Sequence, residues 1–531
     1  MSASRSAAGY GENRADSARP LIVHSTAPEI DQASVDFSLH TAPVDCSSAG
    51  GSDLGLDEVL QYANVKAEAT KLVRSALPII ASTTTQLFIM VPMMAAVGGL
   101  GTVALAGMNL VAIYAGLCGI APLSGMAMAL DSLCSQAFTA AKDRRLLGLY
   151  LQRVFVLMLG VEIFIYPLWW YSQSVFEYIG IPPEIAKVTG LMLRLYFFGV
   201  AALFLYECLK SYLFAQGIRR IAVIGQGICL PIAWFSIWLL ISNKSTSLGV
   251  LGVPGAIIIT ALGFNAVTLI FISRFDGYQC WGGWSRAAFS DLWPVLKLGV
   301  AGSAITFFES ISLHMIDLGV LFMDASSMAA QAILSMLLTS TWYIGTGFAV
   351  AACNRVGNLL GSGLPNRALL SVYVTLGLAL AGFIPMCLAL IANRQWVASM
   401  FTDDPEVSAI LATHIPWPAV GGTVQAIGMA LSGILRGQGR QSLIARIRIL
   451  TSVGIALPVS ALAVVVFKWE LVGLWMGYVA GVVASVSAQA YAVSTTNWGK
   501  EVELCRRRIS SVAVFADPHG SEDDEGTLVL P

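Results

Sequence analysis

The sequence predicts an all-α polytopic membrane protein of twelve spanning helices, arranged as two six-helix lobes related by a pseudo-twofold axis along the membrane normal. Three observations carry that expectation. The first is composition: the 531 residues are 56% hydrophobic and 12% charged, with a mean hydropathy of +0.72. A soluble domain has about 25% charged residues, so this chain cannot cover a water-facing surface. The second is a set of twelve runs of about twenty apolar residues, the length that crosses a bilayer as a helix. The third is an internal repeat. An offset of 222 positions takes Gly125 to Gly347, Gln136 to Asn358, and the stretch Leu213–Gly217 onto Leu435–Gly439. Two motif pairs at one spacing read as a membrane unit written twice. Six spans per unit is an even number, so both halves share one orientation.

In chain order, residues 1–65 are rich in Ser, Ala, Gly and Asp and hold no apolar run long enough for a signal peptide. They read as a disordered cytosolic tail. An N-terminal lobe follows over 66–272, with spans near 76–98, 103–128, 147–170, 190–216, 220–242 and 249–272. Residues 273–294 combine Trp281, Trp284 and Trp293 with Arg274 and Arg286, a composition suited to the headgroup region. They read as an inter-lobe linker on the inner membrane surface, or as a plain loop. The C-terminal lobe covers 295–495, with spans near 295–322, 328–352, 370–392, 408–434, 446–467 and 471–494. Residues 496–531 read as a second cytosolic tail, ending in the acidic run Ser521–Gly526.

Orientation follows from Lys and Arg in the loops. Loops after even-numbered spans hold Lys142, Arg144, Arg145, Arg219, Arg220, Arg355, Arg367, Arg436 and Arg440 among others. Loops after odd-numbered spans hold only Lys187, Lys244, Arg394 and Lys468. The bias places both termini in the cytosol. The sequon at Asn243 then lies in an outward loop, open to glycosylation. The cysteines show neither disulfide nor zinc spacing and read as small buried residues. No basic tract with interleaved aromatics suggests nucleic acid. No phosphate-binding loop, metal cluster, hydrolase elbow or dinucleotide fingerprint is present. A catalytic residue, a metal and a cofactor are therefore not expected.

Ionisable groups at membrane depth are costly and default to function. The seventh span has the densest set, Glu309, His314 and Asp317. At about 100° per residue, His314 and Asp317 lie about 60° apart and Glu309 about 80° beyond Asp317, so all three can face one cavity. Glu309 falls near mid-depth, where burial disfavours the charged form of a carboxyl and suits it to proton exchange. The structural alternative is a His314–Asp317 ion pair, with Glu309 bonded to a neighbouring helix. Glu162 in the third span lines a cavity or is a buried, hydrogen-bonded carboxyl. Glu207 and Lys210, three apart, neutralise each other. Gln86, Asn109, Trp342, Tyr343 and Gln425 are candidate cavity residues. Asp131 near the inner end of the second span is expected to latch an inner gate through a surface salt bridge to the basic loop Lys142–Arg145. The repeat places Asp131 and Gln136 opposite Arg355 and Asn358, with Gly357 and Arg436 as further motif residues.

These motifs resemble those of the multidrug and toxic compound extrusion (MATE) transporters, in the eukaryotic branch and as a diverged, fungal-like member. The family's Ala-Leu-Asp-Thr-Leu-Cys-Gly-Gln-Ala appears as Ala129-Leu-Asp-Ser-Leu-Cys-Ser-Gln-Ala137. Its Arg-Val-Gly-Asn-x-Leu-Gly-x-Gly appears as Arg355-Val-Gly-Asn-Leu-Leu-Gly-Ser-Gly363, and its Leu-Arg-Gly-x-Gly-x-Gln as Leu435-Arg-Gly-Gln-Gly-Arg-Gln441. Vicinal Gln152-Arg153 and the turn Val97–Gly101 also fit, and the likeness spans roughly 70–495. It implies cation-coupled antiport by two lobes opening alternately, with Glu309 matching a glutamate tied to proton coupling. Many relatives have a second glutamate where this chain has His314. Where the family has small neutral residues after Gln441, this chain carries Arg446 and Arg448.

The expected function is secondary active efflux of amphipathic organic compounds, driven by protons rather than sodium, by a monomer in the plasma or vacuolar membrane. The rivals are a lipid-linked saccharide flippase, for which Lys210 and Arg153 are candidate phosphate-binding cations, and an intramembrane acyltransferase using His314.

Overall fold

A computed structural model describes residues 65–320 and 323–516; both tails beyond these limits, including most of the expected N-terminal tail and the acidic end, lie outside the described residues. Among the described residues, twelve helices are long and apolar enough to cross a membrane. In the N-terminal lobe they are α1 (Val65–Gly98), α2 (Thr102–Ala140), α3 (Leu146–Trp170), α4 (Pro183–Ala215), α5 (Arg220–Ser242) and α6 (Gly249–Arg274). In the C-terminal lobe they are α7 (Trp293–Val320), α8 (Ala325–Gly361), α9 (Pro365–Ala392), α10 (Pro416–Gly437), α11 (Gln441–Val466) and α12 (Glu470–Ser494). A last helix, α13 (Trp498–Ala516), follows.

Local chemistry sets the helix limits. Proline in the first turn opens α4, α9 and α10, where its missing N–H leaves nothing unsatisfied. The Asp324 carboxylate caps α8 by accepting from the Ser327 amide at 2.8 Å. Single π-helical turns interrupt α2 at Gly116–Ile120 and α11 at Ser452–Ala456 and Leu462–Val466. Such turns shift the register of the residues after them and are frequent at functional sites.

Three helices outrun their apolar stretches. α1 begins at Val65 rather than near 76, because its first turns, which carry Lys66, Glu68, Lys71 and Arg74, continue the helix ahead of the apolar run. α2 runs to Ala140 rather than 128, and α8 to Gly361 rather than 352. These extensions lie at the end of the bundle that also carries α13, called below the terminal face. Asn243 lies at the opposite end, in the loop after α5.

The lobes meet along α2, which packs on α7 and α8, and along α1, which packs on α8. The α2–α7 seam is a backbone contact: a Cβ at Gly125 would run into Ser303, and one at Gly302 into Gly125. Only glycine permits that approach. The hydroxyls of Ser303 and Thr306 then donate across it to Pro122 O at 2.6 Å and Ala121 O at 2.5 Å.

Two segments expected to be simple are structured. The 273–294 linker is tied to the N-terminal lobe: Gln152 donates to Gly283 O and accepts from the Ser285 amide, Arg153 Nε donates to Ala287 O at 3.3 Å, and Tyr212 donates to Gly277 O. Trp284, Phe289 and Trp293 stay exposed. The first part of the expected C-terminal tail is α13, whose Val502 joins the C-terminal core and whose Ile509 joins the N-terminal core.

Candidate functional site

Two polar constellations stand out. The first surrounds Glu309, half-buried on α7. Trp342 of α8 donates its indole N–H to Glu309 Oε1 at 2.9 Å, and the Gln425 amide of α10 donates to the same oxygen. Arg448 of α11 donates to Gln425 Oε1 at 3.3 Å. A small pocket of about 10 Å³ beside Glu309, room for about one water molecule, is lined by Ser312, Gln425, Arg448, Ser452 and Tyr478. The π turn of α11 places Ser452 against α7, where its hydroxyl accepts from Ser312 at 2.8 Å.

Asp317 belongs to a separate cluster. Its Oδ1 accepts from Gln331 at 3.1 Å and Ser335 at 2.9 Å, and Gln331 in turn accepts from Trp475 of α12. His314 lies 3.5 Å from Asp317, a long contact. The angular reading of α7 omitted the axial distance: eight residues put Glu309 and Asp317 about 12 Å apart along the helix. The pocket at Glu309 therefore includes neither His314 nor Asp317.

The remaining cavity candidates stand apart. Tyr343 packs edge-on against Trp342 and offers its carbonyl to Thr83. Gln86 is half-buried and Asn109 exposed, and neither joins the Glu309 cluster. Glu162 is buried, with its Oε1 unpartnered. Glu207 and Lys210 pair at 2.6 Å as expected, and Arg153 is engaged under the linker. Lys210 is thus neutralised by Glu207, while Arg153 is fully buried with both Nη atoms unpartnered among the described residues.

The second constellation closes the terminal face across the lobes. Asp131 pairs with Arg436 of α10 at 3.3 Å, not with Lys142–Arg145 and not with Arg355. The pair is also buried, at 6% and 5% side-chain exposure, not the surface bridge expected. Arg355 instead grips Glu68 of α1 through two bonds of 2.7 and 2.6 Å, a fork-to-fork geometry that fixes orientation as well as charge. Gln136 donates to Gly437 O at 2.7 Å, Gln441 to Met128 O and Ser132, and Thr139 to Asn358 O at 2.9 Å. A Cβ at Gly357 would collide with Ser135, so this motif glycine lets α8 lie against α2.

α13 lies across this closure. Arg508 donates to Gln136 Oε1 at 2.6 Å, while Glu501 lies 4.0 Å from Arg440 in the turn before α11. Because α13 touches both lobes, Arg508→Ala is expected to open the terminal face several-fold more often. The check is the alkylation rate of a cysteine introduced behind Gln136; an unchanged rate would show that α13 merely rests on the closed face.

Two repeated six-helix lobes, closed at one end by cross-lobe polar bonds and holding a carboxylate inside one lobe, define a membrane transporter. The MatE family model matches residues 78–239 and again 303–462, and the chain belongs to this family of transporters. It is 28% identical over 441 residues to an uncharacterized transporter of Schizosaccharomyces pombe, covering 83% of this chain and 82% of the relative. It is 28% identical over 452 residues to Protein DETOXIFICATION 17 of Arabidopsis thaliana, covering 84% of this chain and 94% of that one. The fold is similar to the crystal structure of the eukaryotic MATE transporter AtDTX14, with a TM-score of 0.78 at 23% identity, over 84% of this chain and 99% of that chain. Membership removes the acyltransferase reading: the chain is a transporter, not an enzyme.

Proposed function

We propose that the chain is a proton-coupled antiporter that exports amphipathic organic compounds by alternating access, with its terminal face in the cytosol and its membrane the plasma or vacuolar one. The observation that carries this reading is the setting of Glu309. Its carboxylate is held by two neutral N–H donors, Trp342 and Gln425, and by no direct ion pair among the described residues. A proton can thus be added without breaking a salt bridge. Aimed N–H groups also favour a proton over sodium, since a hard cation asks for a cage of oxygens. The bonds from α8 and α10 mean that protonation alters how α7 is held, which links proton occupancy to conformation. In this reading the bonds Asp131–Arg436 and Glu68–Arg355 are the cytosolic gate, shut in an outward-facing state, and one chain suffices.

The test is transport of fluorescent amphipathic compounds, cationic and zwitterionic, in vesicles carrying an imposed pH gradient. Movement against the substrate gradient that collapses with the pH gradient supports the reading; indifference to pH contradicts it. Accessibility of both tails to protease from the cytosolic side checks the orientation. Asp317 sits toward the opposite face and serves here as a secondary group. Asp317→Asn is expected to shift the pH profile of transport and lower its rate only several-fold; complete loss would transfer the coupling role to Asp317.

A further inference from the structure

Arg448 is a buried departure from the family motifs that the transport account leaves unused. It is 5% exposed, and it lines the pocket beside Glu309. A buried guanidinium is costly unless paired and fully hydrogen-bonded. This one is neither. Among the described residues its only hydrogen bond is to the neutral Gln425 carbonyl at 3.3 Å, and its Nε has no partner. The buried Tyr478 hydroxyl, on the facing helix α12, is likewise unpartnered. The pocket thus holds two unused donors, one of them charged. Gln425 stands between the two charges like a spacer. Its amide N–H points to Glu309 and its oxygen to Arg448, so each charge fixes the amide's orientation while a direct ion pair is prevented.

We infer that Arg448 makes this pocket a receptor for zwitterionic amphiphiles, its guanidinium and the Tyr478 hydroxyl taking a carboxylate while Glu309 takes the ammonium. The geometry explains why opposite charges are kept apart in one small pocket: a ligand with both groups satisfies both, whereas a simple cation leaves Arg448 uncompensated and repels it. The inference deepens the antiport reading and rests on it, because the ammonium and a proton then compete for Glu309. The titratable groups lining the pocket are Glu309 from α7, Arg448 from α11 and Tyr478 from α12; α8 and α10 face Glu309 with the neutral Trp342 and Gln425.

The experiment measures binding of three forms of one fluorophore to the full chain in nanodiscs: dansyl-lysine as the zwitterion, its methyl ester as the cation, and its Nα-acetyl derivative as the anion. Wild type is expected to bind the zwitterion roughly tenfold to a hundredfold more tightly than either derivative, the scale of one hydrogen bond between charged groups. Arg448→Asn should erase the preference over the ester while still binding the ester, which certifies the fold; Arg448→Lys should keep most of it. Equal wild-type affinity for zwitterion and ester overturns the inference. So does a preference that survives Arg448→Asn, or binding of none of the three. Zwitterion preference without pH-driven transport refutes the antiport reading instead and upholds the pocket.

Discussion

Replacing Glu309 by glutamine is expected to reduce uphill export to background under an imposed proton gradient while leaving substrate binding largely intact. The glutamine side chain has the shape of the protonated acid, and it can still accept from Trp342 and Gln425, the two donors that hold Oε1 in place. What it cannot do is exchange the proton. Antiport needs proton and substrate to bind at each other's expense, so a permanently neutral side chain uncouples the cycle at its thermodynamic centre. Passive, downhill exchange should persist. Glu309→Gln protein that still pumps would move the coupling site elsewhere, with the buried Glu162 of the N-terminal lobe next in line.

The second large effect is expected at the gate. With Asp131 and Arg436 both buried in the closed face, removing one partner strands the other's charge, at a cost of about 3–5 kcal/mol. The closed state bears that cost and an open, wetted gate does not. Asp131→Asn should therefore shift the population toward the state open at the terminal face by well over tenfold, since every 1.4 kcal/mol is a factor of about ten. A surface bridge would have given only about 0–1 kcal/mol. The measurement is alkylation of a single cysteine placed behind the gate. Asp131→Asn combined with Arg436→Met, which leaves no stranded charge, should restore much of the closed population; failure of that rescue would mean that the pair is not the latch.

The spans were legible in the sequence because each needs a long apolar run, and the two-lobe order because the motifs repeat at one spacing. What stayed hidden depended on contacts between lobes. The repeat relates Asp131 to its counterpart in the other half, but equivalent positions are not touching positions, and the true partner, Arg436, sits on α10. Glu68 went unnoticed because its polar turn of α1 comes before the apolar run expected to begin near residue 76. α13 has no long apolar run, so nothing distinguished it from the acidic end beyond it. Around Glu309 the residue types were legible: Trp342 and Gln425 stood among the candidates. Arg448 was visible as a departure, and only the packing of α11 on α7 and α10 turns it into a pocket residue. The grouping of His314 and Asp317 with Glu309 used rotation about the helix and not rise along it.

The central claim is that substrate and proton compete at Glu309, and the most direct measurement is proton release on binding. Full-length protein in nanodiscs, held near neutral pH in weak buffer with a pH-sensitive dye, is mixed with dansyl-lysine or its methyl ester, whichever binds. The account predicts protons released in proportion to ligand bound by wild type, and none by Glu309→Gln at the same occupancy. Binding without proton release by the wild type, or equal release by Glu309→Gln, would contradict it.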